Sequence, residues 1–279
     1  MPKMISHNAS VNTAIIPAGG LGTRLRPLTT NTPKELLPID NYPMIYYSLL
    51  ELVNAGIKKV IVISAPHKQQ LDNFLNMESY DGDLSPQLTA TRELINSLDI
   101  EIVHQTTQNG LGDAVSYAEP YVDSEYFLLL LPDEIVFGSP NPSETLIEHW
   151  KAFQASYVSI QKVIPTQISN YGIVGFDQNT DLSTKGPWKI SQFVEKPELA
   201  DAPSDMSLTG RYLLSRKIFG LLRETELGKN REIQLTDALQ NQLLASEIFF
   251  AARLTGKRFD AGSHSGILKT SEYASQYNK

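Results

Sequence analysis

Glycine and positive charge are concentrated in one short stretch of this sequence, Ala18-Gly19-Gly20-Leu21-Gly22-Thr23-Arg24-Leu25-Arg26-Pro27, and Thr32-Pro33-Lys34-Glu35 follows close behind. That combination suits a phosphate. Glycines let backbone N–H groups come close to the anion, and Arg24 and Lys34 add full charges for the same ligand. The turn is not the dinucleotide fingerprint, which needs Gly or Ala three positions after Gly22, where Leu25 stands. Nor is it a Walker loop, since no Gly-Lys-Ser/Thr follows. A bare Gly-Gly-x-Gly is often only a tight turn. The arginine, the proline and the later Pro-Lys-Glu tip the reading toward a ligand. Arg26 stands close enough to the turn to touch a phosphate, or else faces solvent.

Two acids suit a hard cation. Asp133 follows Leu131-Pro132 at the end of the apolar run 126–131, and Asp260 precedes Ala261-Gly262. Mg²⁺ takes one or two carboxylates and fills its shell with phosphate oxygens and water. In isolation, Pro132-Asp133 is a strand-ending turn.

The elements that must position these groups alternate along the first half. A short apolar run at 12–17 leads into the glycine turn. Residues 44–54 form an amphipathic pattern stopped by Gly56. Val-Ile-Val-Ile within 59–64 reads as a buried strand, as does 100–104. Helices are expected at 67–75, 112–121 and 142–154, the last with Ser143 as its cap. Strands separated by helices of this length predict an α/β fold with a doubly wound, mostly parallel sheet. Ligands then bind beyond the carboxyl ends of the strands. The second half carries strands at 157–163, 171–176, 188–194, 206–214 and 248–254. Its helices fall at 215–223 and 232–244, with a short one near the C-terminus. Glu232 reads as an acid at a helix start. No linker rich in Pro, Gly or Ser separates the halves. The expectation is one domain over 1–279, with one half near 12–140 and a second half with C-terminal helices over 141–279.

The chain has 279 residues and a formal net charge of −7, and no Lys/Arg run gives the basic face of a nucleic-acid binder. It has no cysteine, which excludes disulfides, thiolate catalysis and Cys-type zinc sites. No apolar run approaches the roughly 20 residues of a membrane helix, and the first ten residues lack the core of a signal peptide. A cytoplasmic protein with no membrane or nucleic-acid partner is the expectation.

The glycine-rich segment resembles the signature of the nucleotidyltransferases that make nucleotide sugars. Further motifs of that family fall in order: Leu131-Pro132-Asp133, Tyr171-Gly172-Ile173-Val174, Val194-Glu195-Lys196-Pro197, Gly210-Arg211-Tyr212, Glu232-Ile233-Gln234-Leu235-Thr236-Asp237 and Phe259-Asp260-Ala261-Gly262. The resemblance covers about residues 14 to 265, and the Gly210 and Glu232 motifs are like the uridylyltransferase branch. It implies a Rossmann-like nucleotidyltransferase fold and a Mg²⁺-dependent transfer of a uridylyl group from UTP to glucose 1-phosphate. It implies that Ala18, Gly19, Gly20, Gly22 and Thr23 bind the nucleotide, with Arg24 and Lys34 as catalytic cations. It makes Asp133 and Asp260 metal ligands. Lys196 would contact the sugar phosphate, and Glu195 and Gly172 the hexose. Gln105, Gly110 and Gly112 would read the base, the glutamine amide donating and accepting at once. The pattern departs at Asn109, where lysine is common in the bacterial branch, and in the composition of Gln105-Thr106-Thr107-Gln108. A homo-oligomer, dimer or tetramer, is the family precedent.

The attacking phosphate oxygen is already anionic near neutral pH, so no general base is needed. The five histidines form no constellation in the sequence. Three rivals stand beside this reading: thymidylyl transfer from dTTP, a sugar-nucleotide sensor without turnover, and a nicotinamide oxidoreductase, which the missing GxGxxG opposes.

Overall fold

The computed structural model describes residues 10–77, 85–228 and 231–277. Residues 1–9, with His7 and most of the segment read for a signal peptide, lie outside them. In chain order the first half holds β1 (Thr13–Pro17), β2 (Pro38–Ile39), β3 (Tyr42–Pro43), α1 (Met44–Asn54), β4 (Lys59–Ser64), α2 (Gln69–Leu75), α3 (Pro86–Asn96), β5 (Asp99–His104), α4 (Leu111–Ser116), β6 (Tyr126–Leu130) and β7 (Glu134–Phe137). Then follow α5 (Pro142–Ala152), β8 (Ser156–Lys162), β9 (Gly172–Phe176), β10 (Trp188–Glu195), β11 (Met206–Ser215), α6 (Ile218–Glu224), α7 (Leu235–Leu244), β12 (Phe249–Arg253), β13 (Lys257–Asp260) and α8 (His264–Tyr277).

A nine-stranded sheet runs β5-β4-β1-β6-β11-β8-β12-β10-β9. Strands β5, β4, β1 and β6 are parallel. Beyond β6 the sheet turns mixed: β11 is antiparallel to both β6 and β8, while β12 is parallel to β8. A strand sends successive side chains to opposite faces, so a run that is apolar throughout must be covered on both. Ile15, Ile61, Ile63, Phe127 and Leu129 enter one core; Ala14, Ile16, Val60, Val62, Leu128 and Leu130 enter the other. The helical period in α1 brings Ile45, Leu49 and Leu52 against the second core. Gly56, in the left-handed region at φ 78°, ends that helix.

The parallel strands set their carboxyl ends side by side. β1 delivers the glycine turn, β5 delivers Gln105 and β6 delivers Asp133.

Several boundaries differ from the sequence reading. The helix expected at 112–121 breaks after Ser116 into a 3-10 turn at Glu119–Tyr121, because Pro120 cannot donate to the helical ladder. The cap of α5 is Asn141, not Ser143. Asn141 and Glu144 exchange side-chain and backbone hydrogen bonds as a capping box, while the Ser143 hydroxyl donates to Glu51 Oε1 at 2.5 Å. Helix α3 was missed because it is mostly polar, burying only Thr91 and Ile95. Its start carries a cap all the same, since Ser85 Oγ accepts from Leu88 N–H ahead of Pro86. The last helix is not short but runs 14 residues. β7 and β13, also unforeseen, form a separate antiparallel pair that sets Glu134 opposite Asp260.

Candidate active site

A cavity of about 410 Å³ opens at the carboxyl ends of the parallel strands. Gly19, Gly20, Gly22, Thr23, Lys34, Gln105, Gly110 and Asp133 line it. Gly22 has φ 62°, a region that L side chains rarely adopt, and Thr29 Oγ1 donates to its carbonyl at 2.8 Å. Ala18 is buried behind the turn. Its carbonyl accepts from Lys68 Nζ, and the same ammonium lies 2.8 Å from Glu35 Oε2. This buried pair ties the root of the glycine turn to the residue after Lys34. Burial pulls the Lys68 pKa down, against the opposing pull of Glu35.

Just past the end of β5, Gln105 is buried and its Nε2 donates to Asp113 Oδ2 at 2.6 Å. A carboxylate only accepts, so this bond fixes the amide with Oε1 turned the other way. That oxygen stands 2.7 Å from where a Cβ on Gly19 would be, so only glycine fits beside it. Gln108, not singled out in the sequence, lines the cavity and donates to Gly19 O at 3.0 Å. Gly112 is a correction. Its N–H donates to Ile233 O at 2.8 Å, and a Cβ there would meet Ile233, so it is a close-packing glycine whose N–H is not offered to the cavity. Asn109 is exposed, and its carbonyl accepts from Ile233 N–H at 2.6 Å.

The charged groups meet at Gly262. A Cβ there would lie 2.7 Å from Arg24 Nη2, 2.9 Å from Asp260 Oδ1 and 3.1 Å from Asp133 Oδ2. Asp260 Oδ1 accepts from Gly262 N–H, and Ala261 N–H donates to Asp133 O, both at 2.8 Å. Lys34 Nζ is 2.7 Å from Asp133 Oδ2. Burial alone would lower the Lys34 pKa, but the carboxylates of Asp133 and Glu35 outweigh it and the net shift is upward. Asp133 mirrors this: burial would raise it, and the Lys34 charge and hydrogen bond carry it below the usual carboxylate range. Among the described residues no group of three or more His, Cys, Asp or Glu forms a protein cage for a metal. Two converging carboxylates fit a hard cation that keeps most of its shell for phosphate and water.

A second cavity, of about 610 Å³, adjoins the first. The two share Thr23, Leu111, Leu131, Asp133 and Glu232, so Asp133 stands where they meet. Arg24, Gly172, Glu195, Lys196 and Asp260 line the second one. Lys196 Nζ is 2.7 Å from Glu195 Oε1, and Thr236 Oγ1 donates to Glu195 Oε2 at 2.8 Å. Lys196 has φ 44°, a left-handed conformation that costs a non-glycine residue about 1 kcal/mol or more. A Cβ on Gly172 would strike Leu208 at 2.8 Å and approach Thr236 Oγ1 at 3.1 Å. Glu232, read in the sequence as a helix-start acid, is corrected: α7 begins at Leu235, and Glu232 lies before it on the wall of both cavities.

Residues 13–276 match the sequence model of the nucleotidyl transferases. The chain belongs to the nucleotidyl transferase family. It is 37% identical over 279 aligned residues to a UTP–glucose-1-phosphate uridylyltransferase of Mycoplasma genitalium, covering 96% of this chain and 93% of that protein. A crystal structure of UDP-glucose pyrophosphorylase complexed with UDP-glucose superposes with a TM-score of 0.87 at 32% identity, over 96% of this chain and 99% of the other. A structure described as a glucose-1-phosphate thymidylyltransferase from Bacillus anthracis superposes with a TM-score of 0.76 at 23% identity, over 95% and 98% of the two chains, which speaks to the fold alone. Members of this family generally use a divalent metal.

The nucleotidyl transferase holds its two aspartates with a buried ionic frame that the sequence reading did not assemble. Arg211, in the middle of β11, bonds both carboxylate oxygens of Glu51 at 2.9–3.0 Å. It also donates to Leu131 O at 3.0 Å and Glu134 O at 2.6 Å, bracketing the turn that carries Asp133. Arg258 in β13 makes two 2.6 Å bonds to Glu134 and lies 4.6 Å over the Tyr171 ring. Burial drives the Glu134 pKa up to about 7 in spite of Arg258. The sequence carried one hint. A charge inside the otherwise buried strand Met206–Ser215 must find a partner. It did not say that the partner is Glu51.

Proposed function

We propose that this nucleotidyl transferase moves a uridylyl group from UTP to glucose 1-phosphate, giving UDP-glucose and pyrophosphate, with Mg²⁺ as the metal. The observation that carries the reading is the position of Asp133 at the junction of two cavities. One is walled by the glycine turn and the other by Glu195, Lys196 and Gly172. The names of the relatives support the choice of nucleotide and sugar.

In this reading a phosphate oxygen of glucose 1-phosphate attacks the α-phosphorus of UTP. The new O–P bond forms as the bond from the α-phosphorus to the bridging oxygen breaks, and pyrophosphate leaves with that electron pair. Catalysis then comes from positioning and from cations set against developing charge. Arg24 and Lys34 serve the triphosphate, and Lys196 draws in the sugar phosphate while paired to Glu195, which takes hydroxyl hydrogen bonds. Asp133 and Asp260 would hold Mg²⁺, which supplies charge neutralisation between the two polyanions. Gln105 Oε1 accepts from the imide N–H of the base. Uracil and thymine share that N–H, so Gln105 selects pyrimidine imides over cytosine rather than UTP over dTTP.

We read residues 1–279 as one unit of two halves, joined by the pairing of β6 with β11. Assembly into a homo-oligomer and residence in the cytoplasm belong to the same proposal. Among the described residues no helix is long and apolar enough to cross a membrane. Light scattering of the purified protein tests the assembly.

The function is tested by pyrophosphate release with Mg²⁺, glucose 1-phosphate and each nucleoside triphosphate in turn. Release with UTP well above the others is expected. Release with dTTP alone keeps the reaction and overturns the nucleotide. No release with any triphosphate or sugar 1-phosphate, alongside tight binding of UDP-glucose, overturns catalysis in favour of a sensor.

A further inference from the structure

Three carbonyls of the glycine turn are each held by a side chain from outside it. Ala18 O accepts from Lys68 Nζ, on the residue that precedes α2. Gly19 O accepts from Gln108 Nε2 at 3.0 Å, across from the loop between β5 and α4. Gly22 O accepts from Thr29 Oγ1 at 2.8 Å. The holding side chains are themselves anchored. Lys68 is paired with the buried Glu35. Beside Gln108, the hydroxyls of Thr106 and Thr107 lie 2.9 and 3.2 Å from Tyr117 OH, and Asn109 O accepts from Ile233 N–H at 2.6 Å.

The peptide bonds that follow these carbonyls are trans. In a planar trans peptide the C=O and the N–H of the next residue point in opposite directions. Holding a carbonyl therefore fixes where that N–H points. Lys68 sets the N–H of Gly19, Gln108 that of Gly20 and Thr29 that of Thr23. Among the described residues none of these three N–H groups donates to protein, and all three residues line the proposed nucleotide cavity. Packing does not do the same work at Gly20, where a Cβ would meet nothing within 4 Å. A free glycine peptide there could turn either way. We propose that Lys68, Gln108 and Thr29 are positioning residues, which aim the N–H groups of Gly19, Gly20 and Thr23 at the nucleotide before it binds. Donors fixed in advance need no reorganisation when the ligand arrives. The inference rests on the uridylyl-transfer reading.

The test pairs steady-state kinetics with amide hydrogen exchange by NMR, on protein labelled with nitrogen-15 glycine and threonine, with and without Mg²⁺-UTP. Lys68→Met would leave Glu35 buried without its partner, so the variants are Gln108→Met and Thr29→Val, which keep the bulk and remove the donor. In the wild type, UTP should slow exchange at Gly19, Gly20 and Thr23. Gln108→Met should lose that protection at Gly20 alone, and Thr29→Val at Thr23 alone. Each should raise KM for UTP about fivefold, with KM for glucose 1-phosphate within about twofold and thermal unfolding unchanged. A raised KM with protection at Gly20 intact would mean that Gln108 touches the nucleotide itself, and would overturn the proposal. Loss at all three amides in either variant, with a lower unfolding temperature, marks a collapsed turn and also overturns it. So does an unchanged KM with unchanged protection, or a wild type in which no triphosphate protects these amides. If dTTP and not UTP protects them in the same one-to-one pattern, the positioning role stands and the uridylyl reading falls.

Discussion

The glycine turn and the aspartate corner border two adjoining cavities that meet at Asp133, but they are built in different ways. Near the turn, the functional groups are neighbours in sequence. Gly19 to Arg24 follow directly from β1, and Lys34 returns after one short loop bonded back to Gly22. At the corner, Asp133 and Asp260 come from distant parts of the chain. They meet only because β7 and β13 pair, with Glu134 opposite Asp260. The first arrangement depends on local backbone geometry. The second depends on long-range contacts, which Arg211 and Arg258 lock with buried charge. A defect in the turn should therefore stay local, whereas a defect in the frame should reach both aspartates and the wall that carries Glu195, Lys196 and Gly172.

The sharpest test of the corner is Asp133→Asn or Asp260→Asn. Each removes a charge from the proposed metal pair and should lower kcat by about 10³-fold or more at any Mg²⁺ concentration; Asp260→Asn should leave thermal unfolding little changed, whereas Asp133→Asn also leaves Lys34 without its partner and should lower the unfolding temperature. Retention of a near-normal, Mg²⁺-dependent rate by either variant would end the metal assignment. Arg258→Ala comes next. It leaves Glu134 buried without its partner and should cost about 3–5 kcal/mol of stability by denaturant unfolding. It should also raise the Mg²⁺ concentration needed for half-maximal rate, and Arg258→Lys should restore part of each loss. If Arg258→Ala lowered stability but left the Mg²⁺ dependence untouched, the frame would be structural only.

The same contrast decides what could be read from the sequence. The glycine turn and the bounds of α1 and β4 were legible because each follows from local spacing and periodicity. Asp133 was legible as the acid ending an apolar strand. Its meeting with Asp260 came from family resemblance, since β7 and β13 are short, half-polar strands with no strong pattern of their own. Gln105 was singled out through the family resemblance, but the buried Asp113 that sets its amide was not. An acid in the first turn of a helix reads as dipole decoration until the fold shows what it faces. Gly112 was misread because a glycine needed for close packing against Ile233 looks the same in sequence as one that opens its backbone to a ligand.

The remaining tests bear on side chains presented to substrate rather than on the frame. Lys196→Ala removes a cation from the proposed sugar side and should raise KM for glucose 1-phosphate about tenfold or more, with KM for UTP nearly constant. An unchanged KM for the sugar phosphate would return Lys196 to a surface role.

The smallest expected effect is also the most specific. Asp113→Asn keeps the shape of the proposed base-reading corner but lets residue 113 donate as well as accept. The Gln105 amide then loses the carboxylate that keeps Oε1 turned from it, and the flipped amide would set an N–H against the base N–H. KM for UTP should rise about fivefold, and discrimination against CTP should fall, because a flipped Gln105 can donate to the ring nitrogen of cytosine. Stability should change little, since the Gln105–residue 113 bond survives in either orientation. Discrimination against CTP equal to that of the unmodified enzyme would mean that the fixed amide does not read the base, and that selection lies instead with backbone groups such as Gly110 on the same wall.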